Sequence, residues 1–403
     1  MIKKFIKKSV FAMAILSSAA LAATVIYDQK LPDSFRVSKG SALELGATAE
    51  VTARTGNESY SEGYNATLSL FGMIPIKDVS VNIVEQRYVG VCGTPFGVRM
   101  FTDGVLVVGM TDIDSQNGLV NPARNAGIKT GDIIVSIEGT QVTANEDVAA
   151  LIEQSSGKPL TFKIRRQNMT FDLQFTPVMS IGEDKYKAGL WVRDSSAGIG
   201  TLTFITEDTG FAAGLGHGIC DSDTGEIMPI SAGDIVKAEI ISIQKGTRGT
   251  PGELRGRFST ETSLGQLISN NESGVYSSYS AEIPTVCKAP VANRQEIKTG
   301  AAKILTTIDG QGPKYYDCTI EKVNYDLGTP TQNITLKITD KTLLEKTGGI
   351  VQGMSGSPIL QNGKLIGAVT HVFINDSARG YGIFAENMLA TSDSLNQTIK
   401  KAS

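Results

Sequence analysis

Near its C-terminus the chain reads Gly353-Met354-Ser355-Gly356-Ser357-Pro358, inside the run GGIVQGMSGSPILQNGKLIGAVTHVF. A serine hydroxyl is a weak nucleophile at neutral pH. To cleave an amide it needs a base that takes its proton and N–H donors that hold the oxyanion. The glycines beside Ser355 permit a backbone shape in which the N–H groups of Gly353 and Ser355 converge on one oxyanion. The proline, apolar strand, Asn362-Gly363 turn and second apolar strand that follow match the way a trypsin-like fold presents its nucleophile. Ser357, just before Pro358, fits a supporting role in the turn.

Two histidines compete for the role of base. His217, in GLGHGIC, precedes Ser355 by 138 residues, which is the His-before-Ser order of chymotrypsin-type double barrels. His371, in the alternating strand IGAVTHVFI, follows Ser355 by 16 residues, where the chain is expected to line the substrate cleft with Thr370 and Val372. The base is therefore assigned to His217, and His371 to shaping the cleft. Gly349, six residues before Ser355, falls at the floor of the primary specificity pocket in such a frame and brings no charge, so no demand for Lys or Arg is expected. His217, Cys220, Asp221 and Asp223 could pass for a metal cluster, but His-x-x-Cys lacks a second pair of ligands, and the expected chemistry needs no cofactor.

The elements that must position these groups are read from pattern and composition. At 403 residues, and with ~150 residues per domain as a guide, the chain suggests two or three domains. Its 41% apolar content, 20% charged content and net charge of −3 read as a folded chain with no footprint for nucleic acid. Forty-three glycines and short alternating apolar runs point to a mainly β chain. Residues 1–27 carry Lys3, Lys4, Lys7 and Lys8 followed by an uncharged run from Ser9 to Tyr27, an export signal or membrane anchor. Residues 28–85 read as an exposed polar tether followed by a small β element. Residues 180–403, with strands separated by Gly-rich turns, fit two six-stranded barrels with His217 and Ser355 at their junction. Cys92, Cys220, Cys287 and Cys318 are widely spaced and are expected as mostly buried thiols rather than a disulfide framework.

Two resemblances add to this. Within residues 86–178 the string PARNAGIKTGDIIVSIEGTQV is similar to a PDZ domain, a module that adds an extended peptide as a strand and can hold its terminal carboxylate on loop N–H groups. The resemblance implies a peptide-binding loop at residues 94–98, with Thr94, Phe96, Gly97 and Val98. The order of export segment, PDZ-like unit and peptidase-like unit, together with GHGICD, KITDKTLLEKTGGIVQGMSGSPI and GAVTHVFIND, resembles the SpoIVB (stage IV sporulation protein B) serine peptidases. That resemblance runs from about residue 60 to the C-terminus and is densest between Leu336 and Phe384. It selects Asp340 as third member of the triad, 15 residues before Ser355, whereas ordinary trypsin-like enzymes place the acid in the first barrel. Asp340 either orients His217 or caps the following turn, KTLLEKT. The resemblance further implies export across, or anchoring in, the forespore membrane and action in the space between forespore and mother cell. The implied substrates are the chain's own tether and a membrane regulator of an intramembrane protease, whose cleavage activates a sigma factor. The rivals are a non-catalytic PDZ scaffold and an HtrA-like quality-control protease, in which the catalytic unit usually precedes the PDZ domain.

Overall fold

The structure, a computed structural model, describes residues 2–46, 48, 50–55, 62–167, 169–279, 283–326 and 328–402. Helix α1 (Ile2–Lys30) opens the chain, and among the described residues no helix is long and apolar enough to cross a membrane. The Lys77 ammonium closes the end of α1, donating to Asp28 O at 2.9 Å and Leu31 O at 2.6 Å, two carbonyls left over at the helix C-terminus.

Residues 34–84 then form a four-stranded sheet in which Ser34–Ser38 runs parallel to Ile74–Val84, followed by Gly63–Leu70 and Val51–Thr55. The expectation of an exposed tether is corrected here. Phe35, Val37, Leu43, Leu45 and Val51 are buried and share a core with Ile304, Leu336 and Phe384 of the C-terminal barrel. The Phe35 ring stands edge-on to Tyr325 at 6.5 Å. Polar residues alternate with apolar ones through this stretch, which gives it a buried strand face that composition alone hides. Residues 56–61, part of the expected tether, lie outside the described residues.

Two barrels follow. In the first, β1 (Pro95–Met110), β2 (Leu190–Thr206), β3 (Phe211–Gly214), β4 (Ile230–Gln244), β5 (Glu253–Asn271) and β6 (Gly274–Ser278) close a ring in the order β1-β4-β5-β6-β3-β2, completed by the β1–β2 pairing. The second is a closed barrel of β7 (Gly300–Thr306), β8 (Lys314–Val323), β9 (Ile334–Ile338), β10 (Pro358–Gln361), β11 (Lys364–Phe373) and β12 (Asp376–Phe384), in the order β7-β8-β9-β12-β11-β10. Helix α5 (Ala385–Ala402) lays Met388 and Leu389 against this barrel. The mainly β architecture with two six-stranded barrels is the one expected from the turn-rich sequence.

The PDZ unit sits inside the first barrel's longest ribbon. β1 and β2 pair from Thr201 opposite Pro95 to Leu190 opposite Met110, with bulges between Arg193 and Ser195 and between Trp191 and Val192. Their far ends leave the barrel and join Ile133–Ile137, Leu160–Arg166 and Met169–Phe175. Helix α2 (Pro122–Asn125) starts on Asn121, whose side chain accepts from Arg124 N, and α3 (Asn145–Gln154) packs Val148 and Ile152 on Ile134, Phe162 and Ile164. The expected boundary at residue 86 therefore shifts: Tyr88–Val91 and the first half of β1 pair with peptidase strands, and the PDZ unit begins about midway along β1.

Candidate active site

Helix α4 (Lys341–Thr347), between β9 and β10, ends on Gly348 in the left-handed region at φ 77° and leads straight into the serine loop. Gly353 and Gly356 also have positive φ, 94° and 92°. At Gly356 a Cβ would lie 1.9 Å from Thr201 O, so only glycine fits. Strand β2 fastens the loop by its carbonyls. Thr201 Oγ1 donates to Gly353 O at 2.8 Å, Thr201 N to Ser355 O at 2.9 Å and Thr203 Oγ1 to Gly356 O at 2.7 Å. Met354 N and Gly356 N bond to Val351 O and Val369 O, whereas the N–H groups of Gly353 and Ser355 have no backbone acceptor among the described residues. These are the two donors the sequence assigned to the oxyanion. Sequence reasoning missed the role of Thr201 and Thr203, although the alternation in TLTF did place both on one strand face.

The two histidines meet at the barrel junction. Their rings lie 4.7 Å apart, centroid to centroid, inclined by 33°. His217 Nδ1 is 2.8 Å from Gly218 O, a contact that requires the proton on Nδ1 and leaves the Nε2 lone pair free to accept one. Burial lowers the pKa of His217 below its usual 6.5, with the Gly218 carbonyl pulling the other way. His371 falls to about 4, first through burial and then through charge on His217. In this resting arrangement Ser355 Oγ donates to Thr370 O at 2.8 Å, in the strand residue next to His371. Ser355, His217, Thr370 and His371 are thus gathered at one place. Thr370 itself is buried and bonded to Thr331 O at 2.7 Å, and Val372 is half-buried in the barrel wall.

Two other expected site residues make contacts of their own. Asp340 is the N-cap of α4, with Oδ1 accepting from Leu343 N at 3.0 Å and Oδ2 from Asp317 N at 3.4 Å. Among the described residues the hydrogen-bond partner of the His217 ring is a backbone carbonyl, not this carboxylate. Gly349, at φ 133°, is buried with its Cα facing Ser377, where a Cβ would come within 2.1 Å of Ser377 O. It packs strand to loop instead of flooring an open pocket.

The peptide-binding loop expected at residues 94–98 is also corrected. Pro95–Met110 is a continuous strand, Phe96 and Val98 are buried in the first barrel's core, and a Cβ on Gly97 would meet the Phe258 ring at 2.4 Å. The Thr94 carbonyl accepts from Leu202 N. Of the cysteines, Cys92 and Cys318 are buried as expected, Cys287 is half-buried, and Cys220 is exposed beside the histidines; all four are free thiols. Asp221 and Asp223 bind Arg193, at 2.8 Å in the case of Asp223.

A cavity of about 710 Å³ opens over this junction. Residues 196–200 of β2 line one wall, His217 and His371 the base, and Thr329 to Gln332 the opposite side. A serine with paired free N–H groups in its loop, bonded to the strand residue that precedes His371, whose ring packs on His217 at an open cleft, has the parts that acyl transfer needs.

Comparison with known proteins agrees with this reading. Residues 121–166 match the PDZ domain model. The probable periplasmic serine endoprotease DegP-like of Brucella suis is 27% identical over 165 residues, 38% of this chain and 31% of that protein. The probable protease eep of Enterococcus faecalis is 34% identical over 86 residues, 20% of each. The chain thus spans about a third of the length of the first of these curated relatives, or less. An HtrA-type protease solved with a tripeptide, AlgW, is 15% identical with a TM-score of 0.31, covering 50% of this chain and 56% of that one, a likeness too partial to bear on the architecture. The decisive match is to the family model described as SpoIVB peptidase S55, which covers residues 184–389, just over half the chain and the whole His217-to-Ser355 interval. The chain belongs to the SpoIVB peptidase S55 family and is a serine peptidase.

Proposed function

We propose that Ser355 is the nucleophile and His217 the general acid and base of an endopeptidase acting on extended protein segments. The observation that carries this is the serine loop, whose carbonyls are pinned by Thr201 and Thr203 while the N–H groups of Gly353 and Ser355 stay free beside a histidine whose Nδ1 is already committed. Substrate binding turns the Ser355 hydroxyl from Thr370 O toward His217. Oγ attacks the scissile carbonyl carbon as its proton passes to His217 Nε2, and the carbonyl oxygen, now negative, is held by the two N–H groups. The C–N bond breaks as His217 returns the proton to the leaving amine, giving an acyl-enzyme. Water, deprotonated by the same imidazole, then releases the acid and regenerates Ser355. Gly218 O fixes the tautomer, the task a carboxylate performs in the usual triad. His371 shapes the cleft and excludes water from one face of His217, and Asp340 holds α4 in place ahead of the loop.

Family membership and the lysine-flanked apolar N-terminus support a sporulation role. The enzyme is exported to the space between forespore and mother cell, cuts itself near its N-terminus, and cuts a membrane regulator that controls sigma-factor processing. Ser355→Ala and His217→Ala should each lower turnover by roughly 10⁴- to 10⁶-fold in folded protein, because the pair acts as a unit. The Ser355→Ala protein should also accumulate at full length. Normal trimming of that variant in a preparation free of other proteases would remove self-processing from the proposal.

A further inference from the structure

The catalytic histidine sits on a soft piece of backbone. Gly216, at φ 70°, and Gly218 flank His217, so these three residues do not hold one shape by themselves. Up to Leu215 the chain is fastened to β2, with Leu215 N donating to Thr201 O at 3.2 Å. After Gly218 it is fastened as a hairpin of residues 219–228, closed by Met228 N to Ile219 O at 3.0 Å and Asp221 N to Glu226 O at 2.9 Å. The carbonyl that accepts from the His217 ring, Gly218 O, lies between these two supports.

Two side chains from other strands hold the hairpin. At its base Asn270 accepts from Ile219 N at 2.7 Å and donates to Ile219 O and Met228 O at 2.9 and 3.0 Å. At its tip Asp221 Oδ1 accepts from Asp223 N and Thr224 N at 3.0 and 2.9 Å, and Asp221 Oδ2 is bound by Arg193. The other arm of the same guanidinium reaches Asp223 Oδ2 at 2.8 Å. An exposed ion pair would matter little, but the Asp221 side chain is fully buried. Without the cation a buried carboxylate is left short of a partner, and the tip must open to water. Burial pushes the Asp221 carboxyl up, yet the Thr224 and Asp223 N–H groups and Arg193 hold it below its usual range, so it is charged at neutral pH.

The strand around Arg193 is itself well fixed. Arg193 pairs with Leu106 of β1, and Leu106 pairs with Ile133 of the PDZ unit, so the residue stands where the ribbon leaves the barrel. The bulge between Arg193 and Ser195 breaks the regular alternation, and two neighbours bond to different units. Arg193 reaches the hairpin that follows His217. Asp194 Oδ2 accepts from Asn145 N at the start of α3 at 2.9 Å, and Asp194 O accepts from the buried Thr102 Oγ1 at 3.0 Å.

We infer that Arg193 is a positioning residue for the catalytic histidine: by spanning Asp221 and Asp223 it fixes the 219–228 hairpin and, through it, the His217 ring against Gly218 O. The inference rests on His217 as the base. The polar contacts of the guanidinium among the described residues are Asp221, Ser222 and Asp223, so its effect on turnover passes through the imidazole.

The full chain, its Arg193→Gln and Arg193→Lys variants, and Arg99→Gln as a control test this. Arg99 also joins two strands of the first barrel through an aspartate, Asp234 at 2.9 Å, away from the 219–228 hairpin. Arg193→Gln should lower kcat about 10- to 100-fold with KM little changed, the usual effect of displacing a catalytic group by about an ångström. Fluorophosphonate labelling of Ser355 should slow in proportion. Because burial keeps His217 below 6.5, a loosened hairpin that admits water should raise the acid limb of kcat/KM toward 6.5. His371, Cys220 and Glu272, the other titratable groups lining the cleft, are unaltered in these variants. Arg193→Lys keeps the charge but cannot span both carboxylates, so it should fold even if Arg193→Gln does not, and show a smaller shift of the same sign. Arg99→Gln should lower the melting temperature and leave the acid limb in place. An acid limb and labelling rate unchanged in both Arg193 variants, or shifted equally by Arg99→Gln, would overturn the inference. Undiminished labelling in His217→Ala protein would overturn the catalytic pair beneath it, a result distinct from silent Arg193 variants.

Discussion

At the scale of single residues, the division of labour proposed for Gly218 O and Asp340 is the point on which the proposed site departs from the usual triad. Asparagine caps a helix about as well as aspartate but cannot carry the charge that an orienting carboxylate needs. Asp340→Asn should therefore keep most of the activity, and Asp340→Ala should cost about 1 kcal/mol of stability, read by chemical denaturation. Loss of activity in a stable Asp340→Asn protein would restore Asp340 to the catalytic group. The histidines give a pH signature. Both bind a proton more weakly in the folded chain, His217 below 6.5 and His371 down to about 4. As pH falls below about 6.5 the unfolded chain takes up those protons first, so this part of the stability is present above that pH and is lost toward 4. Melting temperature should fall across that window, and the acid limb of kcat/KM should lie below 6.5; a limb above 6.5 would contradict the buried, neutral base. Ser355 and His217 were legible in the sequence because their neighbours are local: glycines on both sides and a strand-turn-strand after the serine. Asp340 was legible only as a choice, since an aspartate before KTLLEKT reads equally as a cap, and nothing local reveals which distant ring it faces.

At the scale of elements, β2 is the strand on which the site depends. Its threonines hold the serine loop's carbonyls, Arg193 near its start reaches the Asp221 and Asp223 loop that follows His217, and residues 196–200 line the cleft. Gly356→Ala should abolish activity, because the Cβ has no room against Thr201 O and the backbone there has φ 92°. Thr201→Val should weaken activity more than stability, since it releases Gly353 O and loosens the oxyanion donors; a stable Thr201→Val protein with unchanged kcat would show that the loop needs no such anchor. The sequence showed where strands begin and end but not which of them pair. Phe96 and Val98 looked like a loop because a glycine and a proline lie among them, yet the strand continues through, buried in the barrel core. The strand that pairs with it, from Leu190 onward, lies some ninety residues further along the chain, and no local pattern reveals such a pairing.

At the scale of the molecule, two barrels meet at the cleft, a PDZ unit extends from the β1–β2 ribbon, and the N-terminal sheet shares its core with the second barrel. The sheet's burial of Phe35, Val37 and Leu68 ties removal of the N-terminus to barrel stability, each such side chain contributing about 1.5–3 kcal/mol. Deleting residues 1–55 should therefore lower the melting temperature of the peptidase; an unchanged melting temperature would show that the sheet is a detachable passenger. The central claim, that Ser355 is activated by His217 at the junction of the barrels, is tested most directly by reacting the full chain with a fluorophosphonate and mapping the adduct by mass spectrometry. A single adduct on Ser355, absent from folded His217→Ala protein and retained in Asp340→Asn, is the expected result. An adduct on Ser357 or another serine, or undiminished labelling of Ser355 without His217, would contradict it.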